Sequence, residues 1–516
     1  MTRIPFPLLL LAGSLATALL AFQQPEKAGW QSHHVAIAPD GTLTYIPDAE
    51  GNTIPDFSRV GYHQGDRPLP EVKVKKTVRP AAAGSSQELV QKAIDEVAAG
   101  KPDKNGFRGA ILLRKGTYLI PGSLRINTGG IVLRGEGAGA GGTRLVATGK
   151  GQRALIVVSG TGTATEVAGR RRQITDARVP TGSFSLGLES VAGLKAGDKI
   201  MVFRPGTAAW ISDLQMDRIT AREGTRQWQP KDYDLAFERN ITRIEGKRVF
   251  LDNPIVMAMT TKYGGGAVYP YTFPGRIAEV GVEHLLLESE YAGDTDEDHG
   301  WTAIQFNKIE NGWVRNITAR FFGFAAVSLE KDAKQVTVQD ARCQEAKSVI
   351  TGSRRYSFNN NGQLNLFRNL TAADGRHDYV TGAKVCGPNV FYNCSATRTH
   401  ADIGPHHRWA AGTLYDNIVT DGEINVQDRG NWGSGHGWSG VTQVLWHCRV
   451  KRAAVQSPWV SGSNYAIGLQ GDKYEGRLAG KPDGVWEGHN KAGLAPQSLY
   501  LAQLKARQPP HTPAAR

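Results

Sequence analysis

Cysteine is scarce in this chain: Cys343, Cys386, Cys394 and Cys448 are the four among 516 residues. No pair has CxxC spacing, so the common pattern of zinc and redox sites is missing, and buried thiols are at least as well supported as bridges. Long hydrophobic runs are few. Beyond Ala21 nothing approaches the roughly 18 to 20 continuous apolar residues that span a bilayer, so no membrane span is expected after the N-terminal segment. No GxSxG elbow and no nucleotide fingerprint is found, and the GEGAG glycines at 135–139 precede neither GK[ST] nor a helical pattern. They are read as tight corners.

What is present begins with "MTRIPFPLLLLAGSLATALLAFQQ". One arginine, an apolar run from Phe6 and small residues ending near Ala21 have the pattern of a secretory signal peptide over 1–21, so a secreted or periplasmic protein is expected. The 61 glycines and the length suit a large globular chain that buries its core without disulfide staples, and a monomer is expected. The net charge of +13 is spread thinly, with short runs only at "VKVKK" (72–76) and "RRR" (170–172). Such a charge favours anionic partners without naming them. A polyanionic polysaccharide ranks above nucleic acid, because export argues against the latter and no nucleic-acid motif occurs. A generally basic secreted protein is the bland alternative.

Residues 22–80 are rich in proline and glycine and read as an irregular lead-in. "SSQELVQKAIDEVAAG" follows, with an N-cap serine and Leu89, Val90, Ala93, Ile94 and Val97 at helical spacing. Short β segments come next, "GAILLRKGTYLI", "GSLRI", "GGIVLRGEG" and "TRLVATG", so 81–160 is read as a capping helix and first coils. This order of helix, KGTY, strands and GEG, together with "IPDFSRVGY" in the lead-in, resembles the opening of the pectate-lyase-like superfamily of right-handed parallel β-helices. The resemblance implies polysaccharide-degrading chemistry that uses basic residues and often calcium. Residues 161–275 carry hairpin-like strands and read as an inserted antiparallel lobe able to wall a cleft. Residues 471–516 read as a loop, a short helix "QSLYLAQLKAR" capping the solenoid end, and a tail.

Between them, over 276–470, a repeat emerges. Aligning "WVRNITA", "VTVQDAR", "NLFRNLTA", "NVFYNCSA", "TLYDNIV" and "VLWHCRV" puts Asn316, Asp340, Asn369, Asn393, Asn417 and Cys448 in one column, at spacings of 24, 29, 24, 24 and 31. Periods of this size mark solenoids. A corner asparagine can bond the next coil's backbone and form a ladder, and the Leu-x-x-Leu-x-Leu frame of leucine-rich repeats is absent. The expected fold is all-β: a right-handed single-stranded parallel β-helix with an N-terminal capping helix and an inserted antiparallel β lobe.

Positions one period apart stack about 4.8 Å from each other. A period of 24 sets Arg376 under His400, Asp378 under Asp402 and Lys384 under Arg408. Arg354, Arg355 and Tyr356 should approach the same face, and Asp296, Glu297, Asp298 and His299 add acidic and basic groups from an earlier coil. Several cations in one strip repel unless an anion fills it, so the strip suits uronate or sulfate. The reaction it suggests is β-elimination on a uronic acid, in which a cation neutralises the carboxylate, a base removes the C5 proton and an acid assists the leaving oxygen. Lys384, His377 or His406 are the candidate bases. Arg376 and Arg408 are the carboxylate clamps, and Tyr356 or His407 the proton donor. Arg354, Arg355, His400 and His407 are expected to bind substrate. Lys384 and Arg408 also resemble, in their one-coil spacing, a base and acid pair of some alginate- and chondroitin-degrading members of the superfamily.

Three further readings compete. Asp402 and His406 with His400 and His407 suggest a transition-metal site, but the intervening Gly-Pro, read as a turn that projects the histidines, denies the helical i, i+4 presentation. Calcium is expected, if anywhere, on Asp378 and Asp402 with help from the 296–298 acids, its ligands drawn from different coils. The same two aspartates suit a glycoside hydrolase. A non-catalytic carbohydrate-binding β-helix is the third, with Tyr379, Trp409, Trp432 and Trp438 stacking sugar rings, whereas Trp313 and Trp446 read as packing.

Overall fold

The computed structural model describes residues 29–507, so the expected signal peptide and the tail after Arg507 lie outside the described residues. Parallel strands stack coil on coil into a 25-stranded right-handed parallel β-helix. Its core is built by columns. Val282, Val314, Val338, Phe367, Phe391, Tyr415 and Leu445 pair in register from coil to coil, and all are fully buried. Phe367 and Phe391 stack with ring centroids 4.7 Å apart, and Phe391 and Tyr415 at 5.4 Å. The neighbouring column runs Leu285, Ile317, Ala341 and then Cys394 beside Ile418. The cysteines are therefore core residues, all four free and buried, their thiols pushed up to about 12 chiefly by burial.

At the exposed corner, Asn316, Asp340, Asn369, Asn393 and Asn417 take φ between 49° and 57°, a left-handed conformation that Asn and Asp tolerate best among residues with a side chain. Asn369 donates to the Asp340 side chain at 3.1 Å and Asn393 to the Asn369 side chain at 2.8 Å, whereas Asn417 donates to the Gln497 carbonyl at 2.8 Å. The next rung is His447, at φ 53° and 3.0 Å from Asn417, not Cys448. Cys448 is one residue further on and faces the core. The expected side-chain-to-backbone ladder exists at a different corner, where buried Asn365 and Asn389 accept from the backbone N–H of Val336 and Asn365, each at 2.9 Å.

Helix Gln87–Ala98 buries Val90, Ala93, Ile94 and Val97 against the first coils, while Leu89 is exposed. Its N-cap serine makes no cap bond; Ser86 Oγ accepts instead from the N–H of Ala81 at 3.0 Å. Helix Leu499–Arg507 covers a side of the solenoid and not its end. Leu499 and Tyr500 pack with Leu366, Val390, Leu414 and Val444 and with Phe57 and Val60 of the lead-in, and Asp416 accepts from Tyr500 N–H at 2.8 Å.

An antiparallel sheet built from Thr165–Glu166 through Ala267–Thr272 forms the lobe. Its core holds Trp210, Trp228 and Phe237, and it reaches onto the coils through Trp409, Ala411, Trp438 and Val441. A buried charge cluster pins it. Arg276 grips Glu238 with two bonds of 2.7 and 2.8 Å, and the Lys334 ammonium of the coil lies 3.3 Å from both Glu238 and Glu310.

Candidate functional site

Where the coil strands Tyr379–Thr381 and Asp402–Pro405 meet the lobe, ionisable side chains converge. The 24-residue register holds there: Val380 pairs with Gly404, and the backbone N–H of Lys384 donates to Arg408 carbonyl at 2.9 Å. Gly404-Pro405 is not a turn, because it belongs to the strand. The chain instead bends after His406, where Arg408 and Trp409 both have positive φ.

The centre is an aromatic and imidazole cluster. His406 lies 4.4 Å from His377, 5.1 Å from His407 and 5.3 Å from His436, ring centre to ring centre, and Tyr356 packs 5.0 Å from His377 and 5.4 Å from His406. His377, His406 and Tyr356 are buried; His407, His436, Arg376 and Arg408 are half-buried and form the rim. Behind them, Asp402 is held by the buried Arg429 and lies 3.6 Å from His377 Nδ1. His377 Nδ1 is 2.7 Å from the Asp402 carbonyl oxygen, which only accepts, so this nitrogen carries the proton. Nε2 is then the basic nitrogen, and it has no partner among the described residues.

Burial first, and then the neighbouring cations, hold these imidazoles neutral. His377 and His436 are pushed down to about 4 and His407 to about 3, and His406 lies far below its ordinary value. Burial raises Tyr356 and keeps its phenol protonated. Imidazoles with a free lone pair thus lie beside a protonated phenol, so the cluster holds both a proton acceptor and a proton donor.

The remaining expected residues divide. Lys384 is exposed, donates to Asp232 carbonyl of the lobe at 2.6 Å, and lines with His407 a cavity of about 500 Å³ between lobe and coils. Arg408 donates to Ser434, and Arg376 to the Gly352 carbonyl. His400 is exposed beside Gly375, to which its N–H donates at 2.9 Å. Arg354 is clamped by Glu297 through bonds of 2.6 and 2.7 Å. Arg355 is buried and donates to Ser348 carbonyl at 2.6 Å, so it is a framework residue and not a substrate contact. His299 is likewise buried, 2.9 Å from Lys347 carbonyl. Trp409 and Trp438, expected as sugar platforms, are fully buried under the lobe, and Tyr379 stacks on Phe358 in the coil core. Trp432 is half-buried, with Arg477 4.2 Å from its ring centre.

Asp378 and Asp402 do not fit a calcium site. Asp402 is neutralised by Arg429, and Asp378 is fully buried, accepts from Ser357 Oγ at 2.6 Å and has its carboxyl pushed up to about 7 by burial. Calcium requires six or more oxygens around charged carboxylates. Among the described residues no group of three or more His, Cys, Asp or Glu is arranged to hold a metal. Gly375 is obligatory beside Asp378, because a Cβ there would overlap Asp378 Oδ1. The raised carboxyl has a consequence for stability. Its contribution is fully present below the unfolded value near 4 and is lost as pH rises through about 7. Asp378→Asn should remove this loss, on the order of a few kcal/mol, so its melting temperature should change less than wild type between pH 5 and pH 8. Parallel curves would contradict the assignment.

His436 and Arg429 were not singled out from sequence. His436 had a usable signal: it follows His406 by the 30 residues that separate Asn417 from His447. Arg429 had none, because Asp402 pairs with Glu423 in the next coil and the arginine reaches back from a loop.

No family model matches the sequence, and no curated protein matches it significantly. Solved structures do. The tailspike protein gp49 of Pseudomonas phage LKA1 is 15% identical, over 78% of this chain and 70% of that one, with a TM-score of 0.30. An alginate lyase from Paenibacillus sp. str. FPU-7 is 10% identical, over 82% and 99%, with a TM-score of 0.39. A polygalacturonase from Erwinia carotovora ssp. carotovora is 9% identical, over 82% and 97%, with a TM-score of 0.29.

Proposed function

We infer that the chain is an exported polysaccharide lyase, acting as a monomer on a uronic-acid-containing glycan. The observation that carries the reading is the cluster of neutral imidazoles around Tyr356, rimmed by Arg376, Arg408 and Lys384. In the proposed reaction the rim cations neutralise the uronate carboxylate and so acidify its C5 proton. His406 takes that proton; the C5–H electron pair becomes the C4–C5 double bond, the C4–O bond breaks, and the leaving oxygen takes the Tyr356 proton. No water is consumed, and the proton on His406 restores the phenol through solvent. His377, fixed by the Asp402 carbonyl, positions His406.

The hydrolase reading is weaker here, because Asp402 is occupied by Arg429 and Asp378 is fully buried. The test is a panel of pectate, alginate, glycosaminoglycan and rhamnose-glucuronate polymers, followed by the near-ultraviolet absorbance of unsaturated uronate, with and without chelator. One polymer should respond. Silence on all of them would sink the lyase reading. Because burial keeps His406 neutral far below its ordinary range, turnover should hold from neutrality to about pH 5 and fall only near 4, where His377, which positions the base, takes up a proton. A midpoint near 6.5 in the rate profile would contradict the neutral-cluster account.

A further inference from the structure

A second cavity, of about 480 Å³, lies where the lead-in, the lobe and a late coil meet. It is lined by Asp48 and Glu50 of the lead-in, Arg178 and Lys262 of the lobe, and residues 458–463 of the loop between strands Arg449–Val455 and Tyr465–Ile467. Hydrogen bonds fix these walls to one another. Arg178 Nε donates to the Glu50 carbonyl and Thr181 N–H to Asn52 Oδ1, each at 3.0 Å. From the lobe, Ala258 N–H donates to the Ser461 carbonyl at 3.2 Å and Trp210 Nε1 to the Ser461 hydroxyl at 3.0 Å. Ser461 itself takes φ 82°, a region that residues with a side chain seldom adopt, so these two bonds hold the loop in a conformation it would not keep without them.

This loop presents Trp459. Of the 11 tryptophans it is the only exposed one, at 40%, the others being buried or half-buried. Its ring is fixed by contacts: Trp438 meets it nearly at right angles with ring centres 5.5 Å apart, and the Lys481 ammonium lies 4.6 Å from its centre. A fixed indole left in water beside a cavity is apolar surface that a ligand with an apolar face would cover. The charges around the cavity cancel, with Asp48 and Glu50 as its acids and Arg178 and Lys262 as its bases. Each is already satisfied. Arg178 donates to the Glu50 carboxylate and Lys262 to Asp213 at 2.7 Å, while Asp48 accepts from the Asn52 side chain and two backbone N–H groups, each at 2.9 Å. In a chain of net charge +13 this place is neutral, so it does not select a polyanion. It suits an uncharged, polyhydroxylated ring, whose C–H face covers the indole and whose hydroxyls bond the paired groups without separating them.

We propose that this cavity is a second, non-catalytic carbohydrate site, in which Trp459 stacks on an uncharged sugar residue and the Glu50–Arg178 pair bonds its hydroxyls. The site goes beyond the histidine cluster and does not depend on elimination there. It holds the protein on a glycan through neutral sugars.

The test uses whole-chain variants at Trp459. Affinity electrophoresis through gels containing galactan, mannan, xylan or dextran, all uncharged, reads binding without turnover. Wild type should be retarded by at least one of them, equally at low and high salt, because no ion pair forms. Trp459→Ala should need about tenfold more polymer for equal retardation, and Trp459→Phe, which keeps an aromatic face, should recover most of the binding. On the shortest cleavable uronate oligosaccharide, Trp459→Ala should keep the wild-type kcat; a fall there would join the cavity to the first site and contradict a separate one. Retardation that depends on Trp459 without elimination of any polymer would leave this site standing and remove the lyase. No retardation by any neutral polymer, equal retardation of Trp459→Ala and wild type, or Trp459→Phe as weak as Trp459→Ala would overturn the site whether or not elimination is seen.

Discussion

His406→Gln is expected to lower turnover by about 10²- to 10⁴-fold, the range for removal of a positioned general base. His406 touches every other member of the cluster, with Tyr356, His377, His407 and His436 all within 5.4 Å by ring centre. Glutamine keeps much of the size and polarity and removes the basic nitrogen, so the folded fraction should be preserved. Tyr356→Phe should show a loss of similar order, and most strongly for substrates with poor leaving groups, because in the proposed reaction the phenol protonates the departing oxygen. His377→Gln should act differently. As a positioning residue it should move the acidic limb of the pH profile as well as the rate, which a merely structural loss would leave in place. Wild-type rates for His406→Gln would locate the chemistry elsewhere.

Lys334→Met is expected to destabilise the protein by about 3–5 kcal/mol, the cost of breaking a buried ion pair from one side. Lys334 is almost wholly buried, between Glu238 of the lobe and Glu310 of the coil. Removing its ammonium leaves Glu310 with Lys199 and leaves Glu238 with Arg276 and the Tyr271 hydroxyl. The lobe supplies Tyr233, over which Lys384 rests, and the Asp232 carbonyl that Lys384 binds. Loosening the lobe should therefore cost activity as well. Denaturant unfolding followed by tryptophan fluorescence would read it, since Trp210 and Trp228 lie in the lobe and Trp409 and Trp438 at its junction with the coils. A stability within 1 kcal/mol or so of wild type, small on the scale of such pairs, would show that the cluster does not pin the lobe.

The solenoid was legible because its physics is local and repeated. An asparagine, or in two coils an aspartate or histidine, takes the left-handed corner from Asn316 to His447, and a core column returns with it. The misreading of Cys448 shows the limit of that signal. A slip of one residue turns a core side chain into a corner side chain, and the pairing of Asp416 with Trp446, with the bond from Asn417 to His447, shows that His447 is the rung. Burial by distant chain was not legible. Trp409 and Trp438 follow open-looking glycine loops, and nothing near them announces that the lobe, some 200 residues earlier in the sequence, covers them. The stacking of Lys384 on Arg408 follows from the 24-residue period, yet the imidazoles converge one step inward, on His377 and His406. His436 completes that cluster from a coil of 30 residues, which a fixed period of 24 passes over.

The mass of the released products is the most direct test of the central claim. Elimination leaves each new non-reducing end lighter by one water than the corresponding hydrolysis product, and wild-type protein on its responsive polymer should give that lighter series, absent with His406→Gln. A series at the full hydrolysis mass, or products undiminished in the variant, would contradict the account.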